Sequence, residues 1–237
     1  MNNVKNNNSL TILGRLQSEL AIKFILLVVL NLLVYVPYLF LQRHRFFPVT
    51  NMPLSFFDRV IPFSDKAVWP YLSIYLLMPV GPFLMANRRQ IFRYAAGIVI
   101  ISFLADTFFL FWPTACPRPD VAGTNAIYRT LVLIDNPFHA FPSLHAAFAV
   151  YSACCASLVL RELRVPWSWR VGVWLWALLI LFATLATKQH VVADIAAGSA
   201  LAFGAYRCAF NSWKFSSNAK SLPAAASNPT LTDSTVL

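Results

Sequence analysis

The sequence predicts an all-α, polytopic membrane protein built as a bundle of six spanning helices. Composition points there first: 58% of the 237 residues are hydrophobic and only 12% are charged, with a mean hydropathy of +0.60, too apolar for an ordinary soluble domain. The second observation is length. Crossing roughly 30 Å of hydrocarbon at 1.5 Å per residue takes about 20 apolar residues, and six stretches meet that requirement, near residues 22–41, 67–86, 92–113, 144–160, 169–186 and 191–210. The third is periodicity. None of these stretches alternates as a barrel strand does, and backbone polar groups in lipid must be satisfied within their own segment, so the stretches are helices.

Taken in order, residues 1–20 are polar and read as a flexible cytoplasmic tail, residues 21–210 as one six-span membrane domain, and residues 211–237 as a second flexible cytoplasmic tail. The first apolar stretch follows polar residues, exceeds a signal-peptide core in length and lacks a small-residue cleavage site, so it reads as a retained helix. Between the first two spans, Phe46, Phe47, Phe56 and Phe57 alternate with Pro48, Pro53 and Pro62, a composition suited to the membrane interface, where the segment can roof a site. The connection over residues 114–143 is the longest, and the last two spans are joined by a few residues around Lys188. In the sixth span, Ala196, Ala200 and Gly204 recur every fourth residue, a stripe on which another helix can pack closely.

The net charge of +10 does not indicate nucleic acid, because the basic residues are spread between spans rather than gathered on one domain. They read as topology signals. With both termini cytoplasmic, Arg43, Arg45, Arg59, Lys66, Arg118, Arg129 and Lys188 fall outside and the other twelve of the nineteen fall inside, the orientation that the positive-inside rule favours. Short tails and a compact six-span plan suit a bacterial inner membrane, with the site on the periplasmic face. Cys154, Cys155 and Cys208 fall in spans and Cys116 in a loop, which leaves no disulfide framework; the four read as packing residues.

Three segments carry chemistry, and all map to one face of the membrane: residues 113–119 with Arg118, Pro142-Ser143-Leu144-His145, and residues 187–194 with Lys188, His190 and Asp194. Ionisable side chains at the mouths of spans are costly unless partnered or used. Pro142 stops a preceding helix and Ser143 is a preferred N-cap, which puts His145 in the first turn of the fourth span, among unpaired amide donors that favour phosphate. His190 and Asp194 are four residues apart and meet if the sixth span begins by His190. A carboxylate on one imidazole nitrogen would leave the other as base or nucleophile, and a structural His–Asp pair is the alternative. Arg118 offers a planar fork for two phosphate oxygens and Lys188 a point charge, although either can simply be solvated. Asp106, inside the third span, is a candidate to orient Arg118, line the cavity or pair with another span. His139, Asn136 and Tyr128 share the long loop and can reach a substrate headgroup.

These motifs resemble those of the type-2 phosphatidic acid phosphatase superfamily, which also includes vanadium haloperoxidases and lipid phosphotransferases. The likeness spans roughly residues 55–205 and rests on Pro-Ser-Leu-His at 142–145 and His-x-x-x-Asp at 190–194. It implies a six-helix fold of that kind, a lipid phosphate substrate, no metal or other cofactor, and a phosphohistidine intermediate. His190 would attack phosphorus, Asp194 orient it and His145 protonate the departing oxygen, with Arg118, Ser143 and Lys188 on the phosphate. Two family cations are missing. Phe111 stands where the first motif has lysine, and Ala183-Thr184 where the third opens with Ser-Arg. The pattern is closer to inositol phosphorylceramide synthase-like proteins, which points to transfer of a headgroup between lipids beside hydrolysis; a transporter or scaffold that has lost the chemistry is the third reading.

Overall fold

The longest helices stand side by side, and the chemistry sits where their ends meet on one face. The computed structural model describes residues 11–118 and 123–210, so the tail over residues 211–237 lies outside the described residues. The helices are α1 (Ile12–Gln17), α2 (Leu20–Arg43), α3 (Phe56–Val60), α4 (Val68–Leu72), α5 (Ile74–Leu84), α6 (Arg88–Phe111), α7 (Ala126–Ile134), α8 (Leu144–Glu162), α9 (Trp167–Ala186) and α10 (Val192–Phe210), with two short strands, β1 (Thr50–Asn51) and β2 (Thr114–Ala115). The protein is an all-α, multi-pass membrane protein.

Among the described residues, five segments are long and apolar enough to cross a membrane: Leu20–Arg43, Asp65–Leu84, Arg88–Phe111, Leu144–Glu162 and Trp167–Ala186. The sixth expected span is a helix of 19 residues, α10, but Asp194, Arg207 and its glycines keep it below the apolarity of the others. The second span is not one helix. A 3₁₀ turn at Asp65–Ala67 leads into α4, and the chain breaks at Ser73 before α5. Ser73 Oγ donates to the Pro70 carbonyl and accepts from Trp176 Nε1 of α9, so a neighbouring helix secures the break.

At the centre stands α8. Of its apolar stretch, 78% is buried, against 11% for α2, which makes α8 the core and α2 a lipid-facing outer helix. Small residues from Ala146 to Ala156 let α5, α9 and α10 close on α8. The stripe that makes this contact on α10 differs from the expected one. Ala196, Ala200 and Gly204 are exposed, and a side chain at Gly204 would meet nothing within 4 Å. The face turned to α8 carries Asp194, Ile195, Gly198, Ala202 and Ala205. Every-fourth spacing identifies a face of a helix, but it does not say which way that face turns.

Residues 11–20, expected as part of a flexible tail, contain α1, capped by Thr11. Arg15 is buried and pairs with Glu162 at 3.1 Å, and Lys23 Nζ donates to the carbonyls of Arg15 and Phe83. These partners lie up to 147 residues away, beyond the reach of local composition. At the opposite end, β1 pairs in parallel with β2, Thr50 opposite Thr114 and Asn51 opposite Ala115, so the segment after α2 folds over the loops that carry the site, as its composition suggested. All four cysteines are free; Cys116, Cys154 and Cys155 are buried and Cys208 is exposed.

Candidate active site

The turn between α9 and α10 is built to hold His190 still. Lys188 takes a left-handed conformation, with φ of 53°, and the amides of Gln189 and His190 both point back to the Thr184 carbonyl. Lys188 Nζ donates to the carbonyls of Asp58 and Ile61 at 2.7 and 2.6 Å. Asp58 in turn accepts from the Val192 amide at 2.9 Å, at the first residue of α10, while its second oxygen closes a capping box with Ser55 on α3. The roof segment and the turn are thereby fastened together.

Since α10 starts at Val192, His190 precedes the helix and does not share a helical face with Asp194. The pair still meets, at 3.5 Å from Nδ1 to Oδ2, but Nδ1 has a nearer acceptor in the Ala140 carbonyl at 3.1 Å. A carbonyl can only accept, so Nδ1 carries a proton, and in the neutral ring the lone pair is on Nε2. Nε2 has no hydrogen-bond partner among the described residues. Asp194 is fully buried, and Oδ2 accepts from the Val191 amide at 2.9 Å. Its charge therefore steadies the start of α10 and lies beside the imidazole without being its principal hydrogen-bond acceptor.

His145 stands in the first turn of α8. Ser143 is the N-cap, its Oγ accepting from the Ala146 amide at 3.2 Å, and its own amide donates to the Asp194 carbonyl at 3.1 Å. The beginnings of α8 and α10 are thus joined through backbone. The His145 ring stacks on Tyr71 at 3.8 Å, and its Nε2 lies 3.1 Å from the Tyr71 carbonyl; by the same reasoning that nitrogen bears the proton.

Both imidazoles line one cavity of about 170 Å³. Tyr35, Tyr38, Tyr71 and Tyr75 line it together with Asp135 and His139, and no lysine or arginine side chain lines it among the described residues. A second, apolar groove between α2, α5 and α6 shares Val34, Tyr35, Tyr75 and Phe148 with the cavity and runs on past Leu30 and Met78 towards Lys23. Tyr35 and Tyr75 meet at 2.5 Å where the two spaces join.

The remaining candidates are placed around the cavity. Arg118 donates Nη1 to the Asp135 carbonyl at 2.9 Å and Nη2 to Gln189 Oε1 at 2.5 Å, and its Nε is buried without a partner. It clamps the end of α7 to the residue beside His190. Lys188, as described, is spent on backbone carbonyls. Asp106 is half-buried in α6, lines no part of the cavity, and has an orphaned Oδ1. Tyr128 donates to the Thr187 carbonyl. The cation-poor lining accords with Phe111 being exposed and Ala183 and Thr184 being buried. No group of three His, Cys, Asp or Glu side chains able to hold a metal ion occurs among the described residues.

His139 is 2% exposed, stacked on Phe109 at 4.8 Å, with Nδ1 unpartnered. Burial, and then the charge of Arg45, hold its pKa down to about 4, so it is neutral near pH 7. Because the folded value lies below the ordinary 6.5, its contribution is complete above pH 6.5 and is lost as pH falls towards 4. The thermal midpoint should therefore fall over that window. His139→Asn, which tolerates the φ of 66° found here, should flatten the fall; an unchanged pH profile of the midpoint would refute the assignment.

Besides the cavity tyrosines, sequence reading missed three residues that fasten the site. Asp135 accepts from Tyr38 Oη at 2.7 Å and Gln42 Nε2 at 2.8 Å, fixing α2 to the cavity wall. Gln189 holds Arg118, and Asp58 holds α10. A signal existed only for Asp58, in the capping pattern Ser55-Phe56-Phe57-Asp58.

A family model described as the PAP2 superfamily matches residues 39–208, a span that takes in every residue of the cavity except Val34, Tyr35 and Tyr38. Comparisons with curated proteins and with solved structures return no match.

Proposed function

We propose, given that the chain belongs to the PAP2 superfamily, that it is a membrane-embedded phosphatase acting on a phosphomonoester or diphosphate of a lipid through a phosphohistidine. His190 Nε2 attacks phosphorus as the bond to the leaving oxygen breaks, and the electron pair goes to that oxygen. His145 supplies its proton from Nε2, exchanging the Tyr71 carbonyl for the departing alkoxide or phosphate. Water then attacks the phosphohistidine and gives its proton to His145 Nε2 as the P–N bond breaks with its electron pair going to His190 Nε2, which frees inorganic phosphate and returns both imidazoles to their starting state. The Ala140 carbonyl and Asp194 steady the cation that forms on His190. The first-turn amides of α8 behind Ser143, and the tyrosine hydroxyls, receive the phosphate oxygens; Arg118 Nε is the nearby guanidinium donor without a partner. By the positive-inside balance this face is the outer or periplasmic one, with both termini cytoplasmic, in a bacterial inner membrane.

One observation carries the reading: an imidazole with Nδ1–H committed to a carbonyl and Nε2 left open beside a second histidine, in a cavity that merges with an apolar groove. The test is phosphate release by the purified full chain across lipid phosphates differing in headgroup and chain. Absence of release, together with absence of transfer as defined below, would defeat the proposal. The groove gives a finer expectation. Leu30→Trp should lower kcat/KM for long-chain lipid phosphates about tenfold, or 1.4 kcal/mol, and leave short soluble phosphate esters unchanged; an equal loss on both would show that no chain lies there.

The cation-poor cavity favours a second reading, in which an alcohol on another lipid replaces water and a phosphoryl or phosphoalcohol headgroup is transferred, as in inositol phosphorylceramide synthase-like enzymes. Labelled headgroup appearing on an added lipid acceptor rather than in water distinguishes the two.

A further inference from the structure

The His145 ring takes its orientation from one residue. Its Nε2 lies 3.1 Å from the Tyr71 carbonyl, its face stacks on the Tyr71 ring at 3.8 Å with the planes 13° from parallel, and it makes no other hydrogen bond among the described residues. Tyr71 in turn belongs to α4, a helix of five residues, too short to persist without tertiary support. Its end is fixed at Ser73, where the chain breaks before α5. The Ser73 hydroxyl donates to the Pro70 carbonyl at 2.6 Å, and the Ser73 amide reaches the carbonyls of Trp69 and Pro70 at 3.1 and 3.2 Å. A hydroxyl bonded three residues back competes with the helical ladder and bends it. Having given its proton, Ser73 Oγ still accepts, and Trp176 Nε1 donates to it at 2.9 Å. Trp176 comes from the middle of α9, is half-buried and lines no part of the cavity that holds the two histidines. The indole therefore reaches the reaction only through Ser73 and Tyr71.

We propose that Ser73 and Trp176 are positioning residues for the proton that His145 delivers. The indole of α9 holds the Ser73 hydroxyl, the hydroxyl holds the break between α4 and α5, and the break sets the Tyr71 ring and carbonyl against the imidazole, so that Nε2–H stays aimed at the leaving oxygen. The inference rests on the reading above, in which His145 protonates that oxygen. Without the Trp176 bond, α4 is free to tilt by the small amount that misaligns a proton transfer, while His190 and the first-turn amides of α8 keep their places. An alkoxide needs the proton to depart, whereas 4-nitrophenolate leaves readily as the anion, so the leaving group reports how well His145 is aimed.

Steady-state phosphate release by the purified full chain from hexyl phosphate and from 4-nitrophenyl phosphate provides the test. Trp176→Phe, which keeps an aromatic ring and removes the N–H donor, should lower kcat for hexyl phosphate about tenfold and leave kcat for 4-nitrophenyl phosphate within about twofold, with KM unchanged for both. Ser73→Ala should produce the same split from the other side of the bond, and decides the matter if Trp176→Phe does not fold. Ser73→Thr, which keeps the hydroxyl, should restore the parental ratio of the two rates. Equal losses on both esters, a loss confined to KM, or parental rates on both would overturn the proposal. His145→Gln separates that outcome from failure of the underlying reading, because it should give the same split at about a hundredfold or more. If His145→Gln shows the split and neither Trp176→Phe nor Ser73→Ala does, the positioning role falls and the acid remains; if His145→Gln shows no split, His145 is not the acid and both fall.

Discussion

Replacing His190 by alanine should lower phosphate release by roughly 10³-fold or more, the usual scale for loss of a nucleophile, with the thermal midpoint nearly unchanged. The nearest hydrogen bond of the ring, to the Ala140 carbonyl, is worth about 1 kcal/mol, and its contact with Asp194 is longer at 3.5 Å, so the loss of chemistry should far exceed the loss of stability. The acid-labile phosphoenzyme that accumulates after rapid quenching of the parent should be missing from the variant. Asp194→Asn provides the internal contrast. Because Nδ1 is already held by a carbonyl, loss of the carboxylate charge should cost only about 10- to 100-fold, a smaller effect than in a site where the carboxylate alone orients the imidazole. A His190→Ala enzyme that kept more than a tenth of parental release, or still formed phosphoenzyme, would take the nucleophile's role away from this residue.

The second large effect is expected at Gly198, which touches no substrate. A Cβ there would lie 2.3 Å from the Ser143 carbonyl oxygen and 3.2 Å from the Ala147 amide nitrogen. Both are backbone atoms of the first turn of α8 and neither can swing aside, so α8 and α10 must part. Parting them breaks the Ser143 amide to Asp194 carbonyl bond and draws His145 away from His190. Gly198→Ala should cost about 1–3 kcal/mol, the usual range for overpacking, and reduce turnover by roughly two orders of magnitude, as expected when reacting groups lose alignment by an ångström or so. Gly204→Ala, on the outward face where nothing lies within 4 Å, should leave both quantities unchanged. Paired measurements of thermal midpoint and initial rate check this, and similar behaviour of the two alanine variants would show that the close approach does not matter.

Much of this was legible in the residues, because the signals were local. The long spanning stretches came from runs of apolar residues, and the entry to α8 from Pro142 and Ser143 acting in a single turn. His145 and His190 were singled out because an ionisable group at the mouth of an apolar run is conspicuous. What escaped was set by partners distant in the chain. The Ala140 carbonyl as the acceptor for His190 is 50 residues away, and a backbone atom has no identity in a sequence. Lys188 reads as a free phosphate-binding cation until its ammonium is seen on the carbonyls of Asp58 and Ile61. Arg15, in what reads as a tail, is buried because Glu162 waits 147 residues on. The orientation of α10 failed for another reason: Ala196-Ala200-Gly204 and the Asp194-Gly198-Ala202-Ala205 face are nearly equal in smallness, and only packing chooses between them.

The binding of Lys188 and Val192 to Asp58, across 130 and 134 residues, sets a timetable for biosynthesis. A chain emerging through the insertion machinery has its roof segment early and must wait for almost the whole sequence before the turn that bears His190 can be fastened beneath it. Such distant closures form late. The nascent protein therefore remains without a fixed turn around His190 until the last helix has entered.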